Sequence, residues 1–319
     1  MSYELTELHR ESRMGGLGTE MAREIRRIDL SDFAARRDEI TEQVWNAAVE
    51  IGFFQVVAHG IDLADVREAF ATAERFFALP DATKARYPLR KGRNAGWESL
   101  SQVRPSVGTP DQKESFQITR PHMDGLWPSD EFRTTLLRFE AQCRDLAMKL
   151  LSCFATRLGF DADFFARAHD PSDPGYRSTL RLLHYFAVPP DATGLWRAGA
   201  HTDFDCLTLL FQRDGQSGLQ VCPGRERDAG TWTPVEASDD AVTCNIGDML
   251  MRWSDDLLPS NFHRVKSPGP GEDRGPRQSI AFFAQANADV VIEGPAGRYP
   301  PITAEEYLRQ RIAANYRGT

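Results

Sequence analysis

Apolar residues in the first half of the chain recur every three to four positions, the period of an amphipathic helix. One such stripe predicts a helix over residues 34–50. A second helix is predicted from Asp62, a residue type that caps helices well, to the position before Pro80. A third and longer helix is predicted from Ser129 to the stop at Gly159, because a continuous apolar stripe follows the cap.

The pattern changes after about residue 176, where short apolar runs alternate with turns that contain Gly and Pro. These runs predict strands over 179–188, 207–212, 218–221, 241–246, 248–253, 262–266 and 279–285. Earlier in the chain, strands are predicted at 25–30 and 53–57. Helices followed by closely spaced strands indicate an α+β fold with a mainly β core, built as a sandwich or a barrel.

Five segments are distinguished along the chain. They are a polar N-terminal arm at 1–24, an N-terminal region at 25–125, a long-helix region at 126–175, a β core at 176–295 and a C-terminal helix at 296–319. The arm is expected to pack poorly. Within the second segment, residues 88–125 are rich in Gly, Pro, Arg and Ser with little periodicity, which is typical of a lid over a binding site.

Charge and cysteine content narrow the class of protein. The net charge of −8 argues against a general nucleic-acid binder, which is usually basic. No apolar run approaches 18 residues, and the N-terminus lacks the apolar core of a signal peptide, so we expect no membrane span and a cytoplasmic location. The five cysteines form no CxxC pair and are expected to be reduced thiols.

The most specific chemical feature is His201-Thr202-Asp203, just before a predicted strand. Side chains at i and i+2 of an extended segment share a face, so the imidazole and the carboxylate can bind one ion. His263, at a later predicted strand, is the best candidate for a third ligand. Two histidines and one carboxylate form the facial triad of non-haem Fe(II) oxygenases, which leaves positions open for O₂ and a bidentate co-substrate. A surface pair or a structural histidine is the alternative interpretation.

A second pair of side chains has the same spacing. Arg277 and Ser279 flank Gln278 at the start of a predicted strand, so the guanidinium and the hydroxyl point to one face. This combination suits capture of a carboxylate. Taken alone, an ordinary strand-entry arginine explains it equally well.

Together these segments resemble the 2-oxoglutarate/Fe(II)-dependent oxygenases of the isopenicillin N synthase-like family, over about residues 25–316. The matching segments occur in the family's order: Ile28-Asp29-Leu30, Gly52-Phe53-Phe54, His59-Gly60-Ile61, His201-Thr202-Asp203 with Leu207-Thr208-Leu209-Leu210, Gly218-Leu219-Gln220-Val221, Asn245-Ile246-Gly247-Asp248, His263-Arg264-Val265 and Arg277-Gln278-Ser279.

The resemblance implies a double-stranded β-helix (jelly-roll) core flanked by helices, with the catalytic core at 176–295 and the family's N-terminal non-haem dioxygenase region at 25–125. It implies that three residues bind Fe(II), namely His201, Asp203 and His263. It also implies that three residues hold 2-oxoglutarate, namely Arg277, Ser279 and Tyr185. The Tyr185 assignment departs from the family pattern, because Leu183 and His184 replace the Asn and Tyr of its NYY segment.

The implied reaction is oxidation of an unactivated C–H bond of a small molecule by O₂, with release of succinate and CO₂. Two other functions remain open: an isopenicillin N synthase-like Fe(II) oxidase that does not use 2-oxoglutarate, and a non-catalytic sensor of a small ligand. Neither the substrate nor the oligomeric state follows from the sequence. Candidate pocket residues are the aromatic Trp97, Phe116, Trp196, Phe204 and Phe283, with Arg90, Arg93 and Arg104 as possible partners of an acidic substrate.

Overall fold

The structure is a computed structural model that describes residues 14–104, 106–189, 195–269 and 271–315. Its helices in these ranges are α1 (Arg37–Glu50), α2 (Leu63–Phe77), α3 (Asp81–Lys84), α4 (Asp130–Arg157), α5 (Phe164–Ala168), α6 (Asp248–Trp253) and α7 (Ala304–Asn315). Its strands are β1 (Thr19–Glu20), β2 (Arg27–Asp29), β3 (Phe53–Val57), β4 (Gly96–Ser99), β5 (Lys113–Ile118), β6 (Thr179–Tyr185), β7 (Ala198–His201), β8 (Leu207–Phe211), β9 (Leu219–Cys222), β10 (Thr231–Pro234), β11 (Val242–Ile246), β12 (Phe262–Val265), β13 (Arg277–Ala284), β14 (Val291–Ile292) and β15 (Ile302–Thr303).

Two sheets form the β core. The larger has the order β2-β3-β11-β8-β13-β6-β5-β4, and the smaller has the order β1-β10-β9-β12-β7. Their inner faces meet in one apolar cluster, to which β6 and β13 contribute from the larger sheet and β9 and β12 from the smaller. This arrangement confirms the predicted α+β fold class with a jelly-roll core flanked by helices.

The helices cover the outer face of the larger sheet. Ser129 Oγ accepts from the backbone N–H of Phe132 at 3.1 Å and caps α4, whose apolar stripe contacts α1, α2, β8 and β13. The Phe139 ring of α4 lies 5.0 Å from the ring of Phe211 on β8, and Phe282 of β13 is fully buried in the same cluster. Burying each such phenylalanine contributes about 2–3 kcal/mol, so this face stabilises the sheet that carries the site.

Alternation along β13 sends the other half of its side chains inward. Ile280 and Phe282 pack against the helices, while Arg277, Ser279 and Phe283 share the opposite face. Antiparallel registers continue this inner face onto β6, β5 and β4. One sheet face therefore carries both the predicted co-substrate residues and side chains from the segment 88–125.

The prediction that residues 88–125 lack regular structure is wrong at two places. β4 and β5 lie within this segment and pair antiparallel with each other, and β5 also pairs with β6. Every residue of β5 is buried. The lid remains a prediction only for the turn that joins β4 to β5.

Residues 248–253 form the helix α6 rather than the predicted strand. The backbone N–H of Met251 donates to the carbonyl of Gly247, which closes a helical turn. In a short apolar run that is almost entirely buried, the spacing of apolar residues does not distinguish a helix from a strand. This explains the wrong prediction.

Residues 14–20 of the predicted arm are attached to the smaller sheet, although the side chains of 15–20 are exposed, and residues 1–13 lie outside the described ranges. Met14 is buried, and β1 pairs parallel with β10. Arg264 donates from Nη1 to Gly16 O at 2.7 Å and from Nη2 to Leu17 O at 2.6 Å. A basic residue 248 positions away in the sequence thus fixes a segment that its own composition marks as loose.

All five cysteines are buried and none is in a disulfide. No helix among the described residues is long and apolar enough to span a membrane. The division of the chain into five segments stays a prediction.

Candidate active site

His201, Asp203 and His263 come together where β7 and β12 face each other. His201 and His263 are paired in register, and their ring centroids lie 4.3 Å apart. Asp203 Oδ1 is 3.9 Å from His201 Nε2, and Asp203 Oδ2 is 3.6 Å from His263 Nε2. The three ligand atoms all lie within 4.8 Å of one another, a spacing that one metal ion can bridge.

Backbone carbonyls orient the two imidazole rings. Nδ1 of His201 lies 2.8 Å from Gly199 O, and Nδ1 of His263 lies 3.3 Å from Asn261 O. Because a carbonyl only accepts, Nδ1 carries the proton and Nε2 presents its lone pair to the centre of the site. Second partners of this kind are usual for metal-binding histidines and fix the ring orientation.

Asp203 is held by two residues to which the sequence assigned no role. Its Oδ2 accepts from Thr208 Oγ1 of β8 at 2.7 Å and from Asn245 Nδ2 of β11 at 2.9 Å. These bonds fix the carboxylate plane and leave Oδ1 free for a metal. The signal for Thr208 and Asn245 was present in the LTLL and NIGD segments, but only the sheet places them beside Asp203.

Burial and nearby charges set the protonation of this centre. Burial lowers the pKa of His201 well below its usual value, and the positive charges of Arg104 and Lys113 lower it further. Burial and the charge of Asp203 raise the pKa of the Asp205 carboxyl well above its usual range. His201 is therefore neutral and able to ligate a metal.

Helix α7 contacts the segment that carries His201 and Asp203. Arg311 is 1% exposed, donates from Nη2 to Thr202 Oγ1 at 3.1 Å and pairs with the carboxylate of Asp248. Its guanidinium also lies 4.9 Å above the Phe204 ring. Thr202 and Phe204 flank Asp203, so the C-terminal helix holds the segment that carries two of the three site residues.

Arg277, Ser279 and Tyr185 form a second polar group at one end of the inner face. Arg277 is opposite Tyr185 in register, and its guanidinium carbon lies 4.9 Å above the Tyr185 ring. Arg277 is 2% exposed, and its Nε donates to Gln216 O at 2.9 Å. Nη1 and Nη2 of Arg277 and Oγ of Ser279 are buried without a hydrogen-bond partner in the described part of the chain. A buried guanidinium with two unpaired nitrogens is costly and indicates a site built for an anion.

The aromatic residues predicted to line the pocket lie on both sides of the larger sheet. Phe283 shares the inner face with Arg277 and Ser279. Phe116 is wrong as a pocket residue, because it is fully buried against Phe76 and Phe132 on the helix side. The other three are also engaged elsewhere: Trp97 lies opposite Phe116, Trp196 lies under the guanidinium of Arg264, and Phe204 lies under Arg311.

The three arginines predicted as partners of an acidic substrate lie in different places. Arg90 donates to the carbonyls of His122 and Asp124 at the surface, and the charge of Arg93 acts on His122 as well. The stem of Arg104 instead packs against Gly199, two residues before His201. Only Arg104 of these three is therefore beside the triad.

Two families match the chain. The one described as "non-haem dioxygenase in morphine synthesis N-terminal" matches residues 25–134, and the one described as "2OG-Fe(II) oxygenase superfamily" matches residues 177–286. The second match contains all six predicted site residues.

Curated relatives and solved structures are similar over nearly the full length. The 2-oxoglutarate-Fe(II) type oxidoreductase hxnY of Emericella nidulans is 32% identical, over 91% of this chain and 89% of the relative. The proline hydroxylase buaE of Petromyces alliaceus is 33% identical, over 92% and 94%. A full-length Neurospora crassa protein, solved in complex with alpha-KG and thymine, is 32% identical, over 92% of this chain and 97% of that one, with a TM-score of 0.80. A 2OG-Fe(II) oxygenase family protein from Caulobacter crescentus is 31% identical, over 91% and 98%, with a TM-score of 0.79.

Proposed function

The chain belongs to the 2OG-Fe(II) oxygenase superfamily and is an Fe(II)/2-oxoglutarate-dependent dioxygenase, and from this premise we propose which residues do its chemistry. Fe(II) is held by His201, Asp203 and His263. The distal carboxylate of 2-oxoglutarate is held by Arg277 and Ser279, with Tyr185 beside them. The substrate is a small molecule that is oxidised at a C–H bond.

The donor set supports the metal assignment. Two neutral imidazole nitrogens and one carboxylate oxygen on one side of a centre are the ligands of the non-haem Fe(II) facial triad. The hydrogen bonds from Thr208 and Asn245 satisfy one oxygen of Asp203 and leave the other for the ion. Three protein ligands leave room for a bidentate co-substrate and for O₂.

The single observation that carries the co-substrate assignment is the unpaired end of Arg277. Two guanidinium nitrogens and the Ser279 hydroxyl are buried together with no partner in the described ranges. A carboxylate accepting from both nitrogens completes the planar fork of an arginine, and Ser279 supplies a third donor. Tyr185 gives the guanidinium an aromatic face to lie against.

These contacts distinguish the role of the protein from that of the bound iron and co-substrate. When bound, Fe(II) with 2-oxoglutarate and O₂ supplies the oxidising power that cleaves the substrate C–H bond, and succinate and CO₂ are released. The protein orients the ligands through Gly199, Asn261, Thr208 and Asn245, and it anchors the co-substrate through Arg277. The apolar cluster between the two sheets excludes water from the reacting centre.

Several finer assignments are also proposals. The Neurospora crassa protein is solved with thymine bound and buaE is named a proline hydroxylase, which supports a small polar substrate here as well. The turn between β4 and β5 is proposed as the lid over that substrate. The closer likeness to isopenicillin N synthase and the cytoplasmic location stay predictions.

O₂ uptake by the Fe(II)-loaded enzyme, measured with and without 2-oxoglutarate across a panel of small molecules, tests the proposal. Succinate release in step with O₂ uptake is the expected result, with loss of both in Asp203→Ala. O₂ uptake with a substrate but no need for 2-oxoglutarate would support the oxidase alternative. Binding of a small molecule without any turnover would support the sensor alternative.

A further inference from the structure

A second buried guanidinium, that of Arg197, lies at the same end of the β core as Arg277. Arg197 directly precedes β7, is 4% exposed and donates from Nη2 to the carbonyl of Gly275 at 2.6 Å. Gly275 is two residues before Arg277, which begins β13. Ala198, the next residue after Arg197, packs in the apolar cluster between the sheets together with Tyr185. Arg197 is therefore held beside the residues proposed to bind the co-substrate.

The guanidinium groups of Arg197 and Arg277 line one cleft. The turn between β8 and β9 and the connection from β12 to β13 form its other walls. The cavity volume of this cleft is about 20 Å³, which is enough for one water-sized polar group. The two arginines thus share one opening that admits an oxygen atom of a small polar ligand.

The carboxylates on the walls of this cleft have other partners. Glu272 Oε1 lies 3.1 Å from Lys266 Nζ, and Glu272 Oε2 accepts from a backbone N–H at 2.8 Å. Asp273 Oδ1 accepts from the backbone N–H two residues later, also at 2.8 Å. Within the described ranges, no carboxylate oxygen lies within 4.0 Å of a guanidinium nitrogen of either arginine. The protein itself therefore supplies neither arginine with a paired anion there.

Both arginines have unpaired donors, and their charges act on each other. Nε of Arg197 is buried without a hydrogen-bond partner in the part of the chain that the structure describes, as are Nη1 and Nη2 of Arg277. Burial lowers the pKa of Arg197, and the positive charge of Arg277 lowers it further. The charges of Asp273 and Glu272 oppose this shift but have the weaker influence. An anion bound beside both cations would offset their repulsion and accept from their free donors.

The co-substrate carries an anion of the required kind. A carboxylate offers about four acceptor positions on its two oxygens. The two Nη atoms of Arg277 and the hydroxyl of Ser279 supply three donors, so one acceptor position of the distal carboxylate is left for a further donor. Arg197 has such a donor and a second positive charge at the same end of the core.

We propose that Arg197 is the second cation of the 2-oxoglutarate site and holds the distal carboxylate together with Arg277. This inference rests on the proposed function and assigns one further residue to the same site. Its consequence is specificity, because Arg197 favours 2-oxo acids with a distal carboxylate over those of the same length that end in a methyl group. The bond from Arg197 to Gly275 also fixes the chain just before Arg277, so both guanidinium groups are in place before the co-substrate binds.

Binding of two matched 2-oxo acids tests the proposal. 2-Oxoglutarate and 2-oxopentanoate have the same five-carbon chain and the same head group, and only the first has a distal carboxylate. The anaerobic Fe(II) enzyme is titrated calorimetrically with each. In Arg197→Met we expect the Kd for 2-oxoglutarate to rise about tenfold or more, the usual effect of losing one hydrogen bond to a charged group, while the Kd for 2-oxopentanoate stays nearly unchanged. Arg197→Lys should recover part of the affinity for 2-oxoglutarate, because it retains the charge but not the fork.

Arg274→Met is the matched control, since Arg274 lies in the connection from β12 to β13 but donates to Pro189 O and does not line the cleft. It should bind both 2-oxo acids like the parent. The thermal midpoint and the Fe(II) affinity of every variant show whether the fold and the metal triad are intact.

The outcomes separate this proposal from a structural role of Arg197 and from the proposed function. If Arg197→Met binds 2-oxoglutarate within about threefold of the parent, or loses affinity for both 2-oxo acids in parallel, the assignment of Arg197 is wrong while the proposed function stands. If 2-oxopentanoate binds the parent too weakly for a Kd, the comparison of Arg197→Lys with Arg197→Met decides, and equal affinity of these two variants for 2-oxoglutarate overturns the assignment. If the parent enzyme fails to bind 2-oxoglutarate, the proposed function itself is wrong.

Discussion

Removing the guanidinium of Arg277 should weaken 2-oxoglutarate binding without unfolding the protein. In Arg277→Met the apolar stem is retained, and the carboxylate of the co-substrate enters a buried site that no longer has a cation. Leaving one partner of a buried charge pair uncompensated costs about 3–5 kcal/mol. At about 1.4 kcal/mol per tenfold, the Kd for 2-oxoglutarate should rise by roughly two to four orders of magnitude.

The same substitution should leave the stability of the free protein nearly unchanged. Nη1 and Nη2 of Arg277 have no hydrogen-bond partner among the described residues, so the free enzyme loses the hydrogen bond from Nε to Gln216 O and the contact with the Tyr185 ring. It also loses the desolvation cost of a buried cation. We therefore expect the thermal midpoint to stay within a few degrees of the parent. Arg277→Lys should recover only part of the affinity, because an ammonium cannot match the planar fork.

Calorimetric titration of the anaerobic Fe(II) enzyme with 2-oxoglutarate measures this effect, and Fe(II) affinity is determined in parallel. Arg274→Met is the matched control, because Arg274 lies three residues earlier and donates to Pro189 O outside the inner face. It should bind 2-oxoglutarate like the parent. A Kd for Arg277→Met within threefold of the parent would refute the assignment, and a parallel loss of Fe(II) affinity would mean that Arg277 acts through the metal triad instead.

Three further predictions concern the metal, the C-terminal helix and pH. His201→Ala and His263→Ala should each lower Fe(II) affinity by about a hundredfold or more, because losing only a residue that hydrogen-bonds to a metal ligand already costs about ten- to hundredfold. Metal titration measures this effect, and parent-like affinity in both variants would contradict the triad. Arg311→Met should lower the free energy of unfolding by about 3–5 kcal/mol, because it leaves a buried carboxylate without its cation, and urea unfolding measures this directly. Burial lowers the pKa of His169 to about 4. The unfolded chain therefore binds a proton at His169 before the folded protein does, so this residue should reduce the free energy of unfolding by up to about 3 kcal/mol as the pH falls from about 6.5 to 4. His169→Gln should make that decline shallower, and an unchanged pH dependence would argue against this cause.

The sequence by itself determined the parts of this protein that rest on local spacing. The two-residue spacing of His201 and Asp203, and of Arg277 and Ser279, places each pair on one face of an extended segment wherever that segment lies. The apolar stripe after Ser129 requires a helix for the same reason, because only a period near 3.6 brings those residues onto one side. The order of the motifs then identified the family and its two co-reactants.

Only the tertiary structure decided which side of a segment faces the site. β5 alternates between an apolar face bearing Phe116 and a polar face bearing Lys113, and the sequence alone favours solvent for the polar face. The sheet instead turns Lys113 inward, because β5 pairs with β6 in a register that aligns Lys113 with Tyr185. Register is set by pairing partners that lie far apart in the chain, so no local pattern contains it. The bonds from Arg311 to Thr202 and from Asn245 to Asp203 span 109 and 42 residues, and they exist only because closure of the jelly roll brings those positions together.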